Sequence, residues 1–210
     1  MILGIETSTP RASLALLDGG AEAPVWEASF ETERAHNAVI FDPVSEMLSR
    51  YREEISGIAV GLGPGSYGGV RVGIAVANGL SMILDVPLLG VSSLEAWKSD
   101  EADYTVLGDA RRKTFFVARL VSRVLQCDPE LLPEDVVIEQ VGRSMEAGEG
   151  DCFTADRKVA DAIDGVRLSY PTAVGVAIRA QATALSEWSR DVVLEPHYLR
   201  APYITTPKAK

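Results

Sequence analysis

Residues 61–73 read Gly-Leu-Gly-Pro-Gly-Ser-Tyr-Gly-Gly-Val-Arg-Val-Gly, which we call the glycine corner. A short apolar run, Ile55–Val60, precedes this corner, and a long apolar segment follows it as far as Leu84. Glycines permit positive φ and close backbone approach, so this order predicts a strand, a tight loop and a helix. Ser66 is a natural N-cap for the predicted helix.

The glycine corner leaves two functions open. A helix N-terminus behind a glycine loop can hold an anion on its free N–H groups, which makes Gly63, Gly65 and Ser66 weak candidates for a phosphate loop. The alternative is a tight turn that lets the helix pack on a sheet. The corner has neither the Lys-Ser/Thr of a P-loop nor the spacing and acidic partner of a dinucleotide fingerprint.

The helix predicted after the corner is apolar nearly all round. Between residues 70 and 84 its polar side chains are Arg71, Asn78 and Ser81, which form one narrow stripe. Such a helix is buried on most sides, either within its own domain or against a partner, and both alternatives stay open. Gly73 and Ala77 lie one turn apart and allow close helix approach. The segment is too short and too interrupted to predict a membrane span.

Composition and charge set limits on function. The chain has 210 residues, enough for one large domain or two small ones. Its formal charge of −10 argues against a main nucleic-acid-binding surface, because phosphate binding depends on clustered Lys and Arg. Cys127 and Cys152 form no CxxC motif and suit a reducing cytosol, although one disulfide stays open. The N-terminus shows no signal-peptide pattern, so we expect a cytoplasmic protein.

The order of predicted elements in the first half is β-β-β-α-β-α-β-α, which is typical of ribonuclease H-like folds, including actin-like kinases and ATPases. Pro43 predicts either a helix capped by Asp42 or a bend, and Ser92 with Glu95 predicts a capping box. Thr172 predicts the cap of a later helix, whereas the chain between residues 125 and 169 is weakly patterned. The predicted strands and helices of the first half are 2–6, 12–18, 25–31, a helix within 36–51, 55–60, 66–84 and 87–91.

Several of these segments together resemble one known family. Residues 63–73 resemble the GPGSFTGLRIG signature of the TsaB (YeaZ) proteins. Residues 5–9 resemble the opening strand and turn of that family, and residues 87–95 resemble its following strand and capped helix. Shorter landmarks match at 109–111 and 198–200. The resemblance covers most of residues 1–120 and the C-terminus.

The resemblance implies an α/β, actin-like, two-lobed fold with mixed sheets. Residues 1–100 would form the first lobe and 101–210 a smaller one, with the C-terminal segment returning to the first. It implies a non-catalytic scaffold for TsaD, the enzyme that places threonylcarbamoyl on a tRNA adenosine, in a complex that TsaE completes. A homodimer is expected in isolation, with tRNA reached indirectly. No cofactor is expected on this chain alone, and ATP or ADP only in the assembled complex.

The resemblance also implies a pairing face on the helices near 36–51 and 66–84, and no catalytic or metal-binding residue. The predicted interface residues are Ile40, Val44, Met47, Val70, Arg71, Gly73, Ile74, Ala77, Asn78 and Ser81. Two positions depart from the family pattern, since Glu6 stands where Asp is usual and Gly68 where Thr is usual. Both departures make independent nucleotide turnover less expected.

Two rival functions come from the residues themselves. A stand-alone actin-like small-molecule kinase or ATPase would use Glu6 and the glycine corner as phosphate contacts, with Asp109 as a strand-end carboxylate and Arg111 and Arg112 as anion contacts. The glycines of the second half show no matching phosphate turn.

A metallopeptidase is the second rival, and it needs about three protein ligands for its metal. The chain has two histidines, His36 and His197, and no HxxxH or HExxH motif. The tail after Pro196 is basic, with Arg200, Lys208 and Lys210. It suggests a contact with tRNA or a partner, but a frayed terminus is the commoner outcome.

Overall fold

The computed structural model describes residues 1–31, 37–99, 101–110, 113–148, 150–191 and 193–199. The strands are β1 Ile2–Glu6, β2 Arg11–Leu17, β3 Trp26–Glu31, β4 Gly57–Gly61, β5 Leu88–Val91, β6 Tyr104–Asp109, β7 Thr114–Val121, β8 Val124–Leu125, β9 Glu130–Pro133, β10 Asp151–Thr154 and β11 Val166–Leu168. The helices are α1 Phe41–Tyr51, α2 Tyr67–Leu84, α3 Glu134–Ala147, α4 Arg157–Ala162 and α5 Ala173–Gln181, with short 3-10 helices at Asn37–Ile40, Arg52–Glu54, Ser93–Ala96 and Leu185–Glu187.

The first sheet has the strand order β3-β2-β1-β4-β5. Strand β1 is antiparallel to β2 and parallel to β4, and β4 is parallel to β5. The antiparallel strands are joined directly by loops, whereas each parallel connection passes through a helix. The glycine corner connects β4 to α2 at the carboxyl end of the central strands.

Helices cover both faces of the first sheet. Side chains alternate along a strand, so Leu3 and Ile5 of β1 face α1 and α2, while Gly4 faces α5. A methyl group at Gly4 would overlap the Ala173 carbonyl oxygen, which explains the glycine at this crossing. The central strands are therefore buried on both sides, and β4 is buried along its whole length.

The second sheet has the order β11-β10-β6-β7-β8, with β9 paired to β7. Helices α3 and α4 pack on one face over a core that includes Leu107, Val141 and Cys152. On the other face of the second sheet, the rings of Trp97 and Phe153 stack with their centroids 5.8 Å apart. They belong to a core that also contains Leu94 of the segment after β5.

Polar contacts join the two sheets around the connection after β5. The Glu95 carboxylate accepts hydrogen bonds from Arg179 Nε of α5 at 2.7 Å and from the Leu125 backbone N–H of β8 at 2.9 Å. The Tyr104 hydroxyl donates to the Leu94 carbonyl at 3.0 Å. The boundary near residue 100 and the two-lobe division stay predictions. Helix α5 packs on the first sheet, and Ser189 forms a bridge with Leu88 of β5.

Some local predictions were wrong. Ser92 and Glu95 form no capping box, because residues 93–96 are a 3-10 helix without a side-chain cap and Glu95 points to the second sheet. Of the two alternatives at Pro43, the cap at Asp42 is wrong and the earlier start is confirmed, because α1 begins at Phe41 and Pro43 lies in its first turn, where a missing N–H costs little. The weakly patterned stretch contains two helices and several strands. The helix that Thr172 caps is confirmed.

Candidate partner-binding surface and glycine corner

The glycine corner is a tight turn packed on the loop after β1. The Ser66 side chain caps α2 by accepting from Gly69 N–H at 3.4 Å, as the sequence predicts. Ser66 N–H donates to the Ser8 carbonyl at 2.6 Å, and a methyl group at Gly65 would overlap that same carbonyl. Gly63 has a φ of 87°, a conformation that favours glycine.

The candidate phosphate loop stays a prediction, and some of its backbone N–H donors are bonded within the chain. Gly63 N–H donates to the Ser93 hydroxyl at 3.0 Å, and Ser66 N–H donates to Ser8. The backbone N–H groups of two of the three candidate residues therefore already donate hydrogen bonds within the chain. These bonds favour the interpretation of the corner as a packing turn.

Glu6 lies beneath the corner at the end of β1 and is completely buried. Its Oε1 accepts a hydrogen bond from Ser8 N–H at 2.6 Å. Burial raises the pKa of the Glu6 carboxyl, and the polar groups of Ser8, Ser93 and Thr7 around it oppose that rise in part. Thr7 lies beside it and ties β1 to α2, because its hydroxyl donates to the Gly69 carbonyl at 2.9 Å.

The predicted interface residues lie mostly inside the chain, which corrects the choice of residues. Arg71 is exposed and Asn78 half-buried, with its side chain donating to the Ile74 carbonyl at 2.9 Å. A helix that lies on a sheet packs its most apolar stripe against that sheet, so the buried residues of the predicted interface stabilise the fold. The eight buried residues are Ile40, Val44, Met47, Val70, Gly73, Ile74, Ala77 and Ser81.

The exposed side of the same two helices carries large apolar side chains, and we call it the α1–α2 face. Met82 is 84% exposed, Ile83 64%, Phe41 60% and Tyr67 58%. On α2, the residues that face outward recur every three or four positions and form one stripe. It consists of Gly68, Arg71, Ala75, Asn78 and Met82. The polar stripe seen in the sequence marks this outward side, although Ser81 faces inward.

The C-terminal segment lies next to the start of α2, in line with the return to the first lobe that the resemblance implies, although the sequence did not predict the residues in contact. Tyr198 stacks on Tyr67 with ring centroids 5.4 Å apart, and Arg71 lies over the Tyr67 ring at 5.1 Å. His197 N–H donates to the Leu62 carbonyl at 2.8 Å. The landmark residue Tyr198 thus contacts the glycine corner, and the aromatic type of residue 67 was the available signal in the sequence.

The α2 helix is long and apolar enough, by length and composition, to cross a membrane. Core helices of soluble proteins meet the same criteria, and 33% of this apolar window is buried inside the chain. The helix packs on β4, β1 and β5. The prediction of no membrane contact therefore stays a prediction.

Other candidate residues are less informative. Within the described ranges, no group of three His, Cys, Asp or Glu side chains lies together as a metal site would require. Cys127 and Cys152 are both free thiols, and burial raises the pKa of Cys152 to about 12. His197 and Asp109 are exposed. Several candidates lie outside the described residues: His36, Arg111, Arg112, Arg200, Lys208 and Lys210.

Comparison with known proteins identifies the family. A family model described as TsaD, tRNA N6-adenosine threonylcarbamoyltransferase, matches residues 30–148, more than half of the chain. The Haemophilus influenzae tRNA threonylcarbamoyladenosine biosynthesis protein TsaB is 27% identical, across 95% of this chain and 93% of that protein. The chain belongs to the TsaB (YeaZ) family. The Escherichia coli TsaB is 36% identical, across 48% of this chain and 46% of that protein.

Solved structures of the TsaB (YeaZ) family show the same fold. YeaZ from Pseudomonas aeruginosa superposes with a TM-score of 0.71 at 23% identity, covering 94% of this chain and 99% of that one. A second Pseudomonas aeruginosa structure, described as similar to peptidase YEAZ, gives a TM-score of 0.72. The predicted actin-like α/β fold with two mixed sheets is confirmed.

Proposed function

We propose that this chain is a non-catalytic subunit of the machinery that makes tRNA threonylcarbamoyladenosine, and that it pairs with TsaD. Support for the pathway comes from the Haemophilus influenzae relative, which carries that name and aligns along 95% of the chain. The family model, described as the transferase itself, indicates that the chain and the enzyme share ancestry over residues 30–148.

The observation that carries the pairing proposal is the α1–α2 face. Met82, Ile83, Phe41 and Tyr67 are large apolar side chains that the chain itself leaves mostly in water. Covering one such side chain completely is worth about 1.5–3 kcal/mol, so a partner that buried this face would gain affinity. Gly68 and Ala75 between them have small side chains, so a second helix can approach closely.

The remaining partners follow from the same face. TsaD and a second copy of this chain would compete for it, so the homodimer would be the state in isolation and the TsaD pair the working state. TsaE would join the assembled complex, where we place ATP or ADP. The net charge of −10 favours tRNA contacts on the other subunits.

The test is reconstitution of threonylcarbamoyl transfer to tRNA with TsaD, TsaE and a supply of the threonylcarbamoyl adenylate, with and without this chain. We expect transfer to depend on this chain and the chain alone to be inert. Full transfer in its absence, with competent partners, would contradict the proposal.

A separate titration addresses the kinase alternative. Calorimetry of the isolated chain with Mg-ATP should give no binding heat if nucleotide belongs to the assembled complex. A binding heat that disappears in Glu6→Ala, with the variant still folded, would favour the stand-alone kinase or ATPase instead.

A further inference from the structure

The Glu6 side chain is enclosed between the loop after β1, the end of β4 and the 3-10 helix after β5. It is completely buried, and its Oε1 accepts from Ser8 N–H at 2.6 Å. A methyl group at Gly61 would overlap both Glu6 Oε2 and the Ser93 hydroxyl oxygen, so these two groups fill the space below the corner together.

The second oxygen of this carboxyl is unsatisfied. Glu6 Oε2 finds no hydrogen-bond partner among the described residues, and the same holds for the buried hydroxyls of Ser8 and Ser92. An ionised carboxylate would place an unpaired charge away from water, which is the costliest way to bury this group. A proton on Oε2 removes the charge and makes the atom a donor, for which neighbouring hydroxyl oxygens are acceptors.

We infer that Glu6 is a neutral carboxylic acid at neutral pH, and that it is the positioning residue that supports the glycine corner from below. It would act through Ser93, whose hydroxyl oxygen accepts from Gly63 N–H at 3.0 Å. This support holds the chain at Gly63, four residues before α2 begins at Tyr67. The inference is independent of the proposed pairing with TsaD.

The charged groups on the surrounding elements point elsewhere. Arg11 of β2 lies over the Tyr170 ring, Glu95 is paired with Arg179, and Arg71 lies over Tyr67. His197 meets the corner through its backbone N–H. The groups that face the carboxyl from the described elements are thus hydroxyls and backbone N–H groups of Thr7, Ser8 and Ser93, with no cation among them.

A neutral buried acid makes stability fall as the pH rises. Burial raises the pKa of Glu6 above its usual 4.5, so well below pH 4.5 the folded and unfolded chains both hold the proton. Above that pH the unfolded chain releases it first. The unfolding equilibrium constant attributable to Glu6 then rises about tenfold per pH unit, until the pH passes the folded-state pKa.

The first experiment measures unfolding by urea between pH 5 and 8 for the parent chain and for Glu6→Gln, which keeps the shape without a titrating proton. We expect the unfolding constant of the parent to rise relative to that of Glu6→Gln as the pH increases, by up to about tenfold per pH unit below the folded-state pKa. The matched control is Glu53→Gln, because Glu53 has a side chain that is 93% exposed. Its curve should run parallel to the parent's. A Glu6→Gln curve parallel to the parent's would overturn the inference.

The second experiment is infrared spectroscopy at pH 7, which separates the C=O stretch of a protonated carboxyl from the carboxylate bands. We expect one protonated band in the native chain, absent in Glu6→Gln, shifted in Glu6→Asp and unchanged in Glu53→Gln. A folded native chain without such a band would also overturn the inference, whether or not Glu6→Gln folds.

Discussion

The two faces of α2 both carry apolar side chains but differ in what those side chains contact. The inward face, with Val70, Gly73 and Ala77, is buried on the first sheet. The outward face, with Gly68, Ala75 and Met82, is exposed. Arg71 and Asn78 mark the outward face, but the apolar residues of the two faces are alike, and the position of the sheet decides which of them are buried. One face holds the fold together, and the other is available for a partner.

The largest effect should come from enlarging the inward face. A methyl group at Gly73 would already overlap the Thr7 hydroxyl, so Gly73→Leu should destabilise the chain by about 3 kcal/mol, the upper range for overpacking. Urea unfolding measures this directly. A variant as stable as the parent would show that Gly73 is not packed as described, and would return it to the list of pairing residues.

A charge on the outward face should affect pairing and leave folding intact. Met82→Glu should weaken binding to TsaD or to a second copy by at least about tenfold, or 1.4 kcal/mol, because a carboxylate would be buried at the contact. Light scattering and titration calorimetry measure the pairing. Its stability should change by less than about 0.5 kcal/mol.

The matched control for Met82→Glu is Ile138→Glu on α3. Ile138 is an exposed apolar residue on a helix of the second sheet, 47% accessible to water. It should leave pairing unchanged. If both variants lost the same pairing affinity, the loss would come from the added negative charge and not from a contact at the α1–α2 face.

The helix cap should have a smaller effect. Ser66→Ala removes the side-chain acceptor for Gly69 N–H, and loss of an N-cap typically costs about 1 kcal/mol. Thermal unfolding gives the value, and Ser66→Asp, which restores an acceptor, should recover most of it. No loss in Ser66→Ala would mean that the 3.4 Å contact is not a stabilising cap.

The smallest effect, of opposite sign, should come from Gly79. A methyl group there meets no atom within 4 Å, so Gly79→Ala should stabilise α2 by about 0.5–1 kcal/mol through helix propensity. Gly73→Ala, the same substitution on the inward face, should destabilise the chain. If urea unfolding gave both variants the same sign, the contrast between the two faces would fail.

Much of the first sheet could be predicted from the sequence because its signals are local. Alternation, turn residues and the glycine corner placed β1, β2, β4 and α2 to within a residue or two. The cap residues Ser66 and Thr172 were also predictable, since a cap bonds within its own first turn. The connection at Glu95 was not, because its partners, Arg179 and Leu125, are distant in sequence.

The candidate site divides in the same way. The sequence by itself determined that α2 is an apolar helix behind a glycine corner, and which family the chain resembles, because both depend on short contiguous patterns. Only the tertiary structure decided that Gly73 and Ile74 face the sheet while Ala75 and Met82 face water. The polar stripe of α2 is narrow and apolar residues occupy the rest of its surface, so the strands packed beside the helix decide which apolar residues are buried.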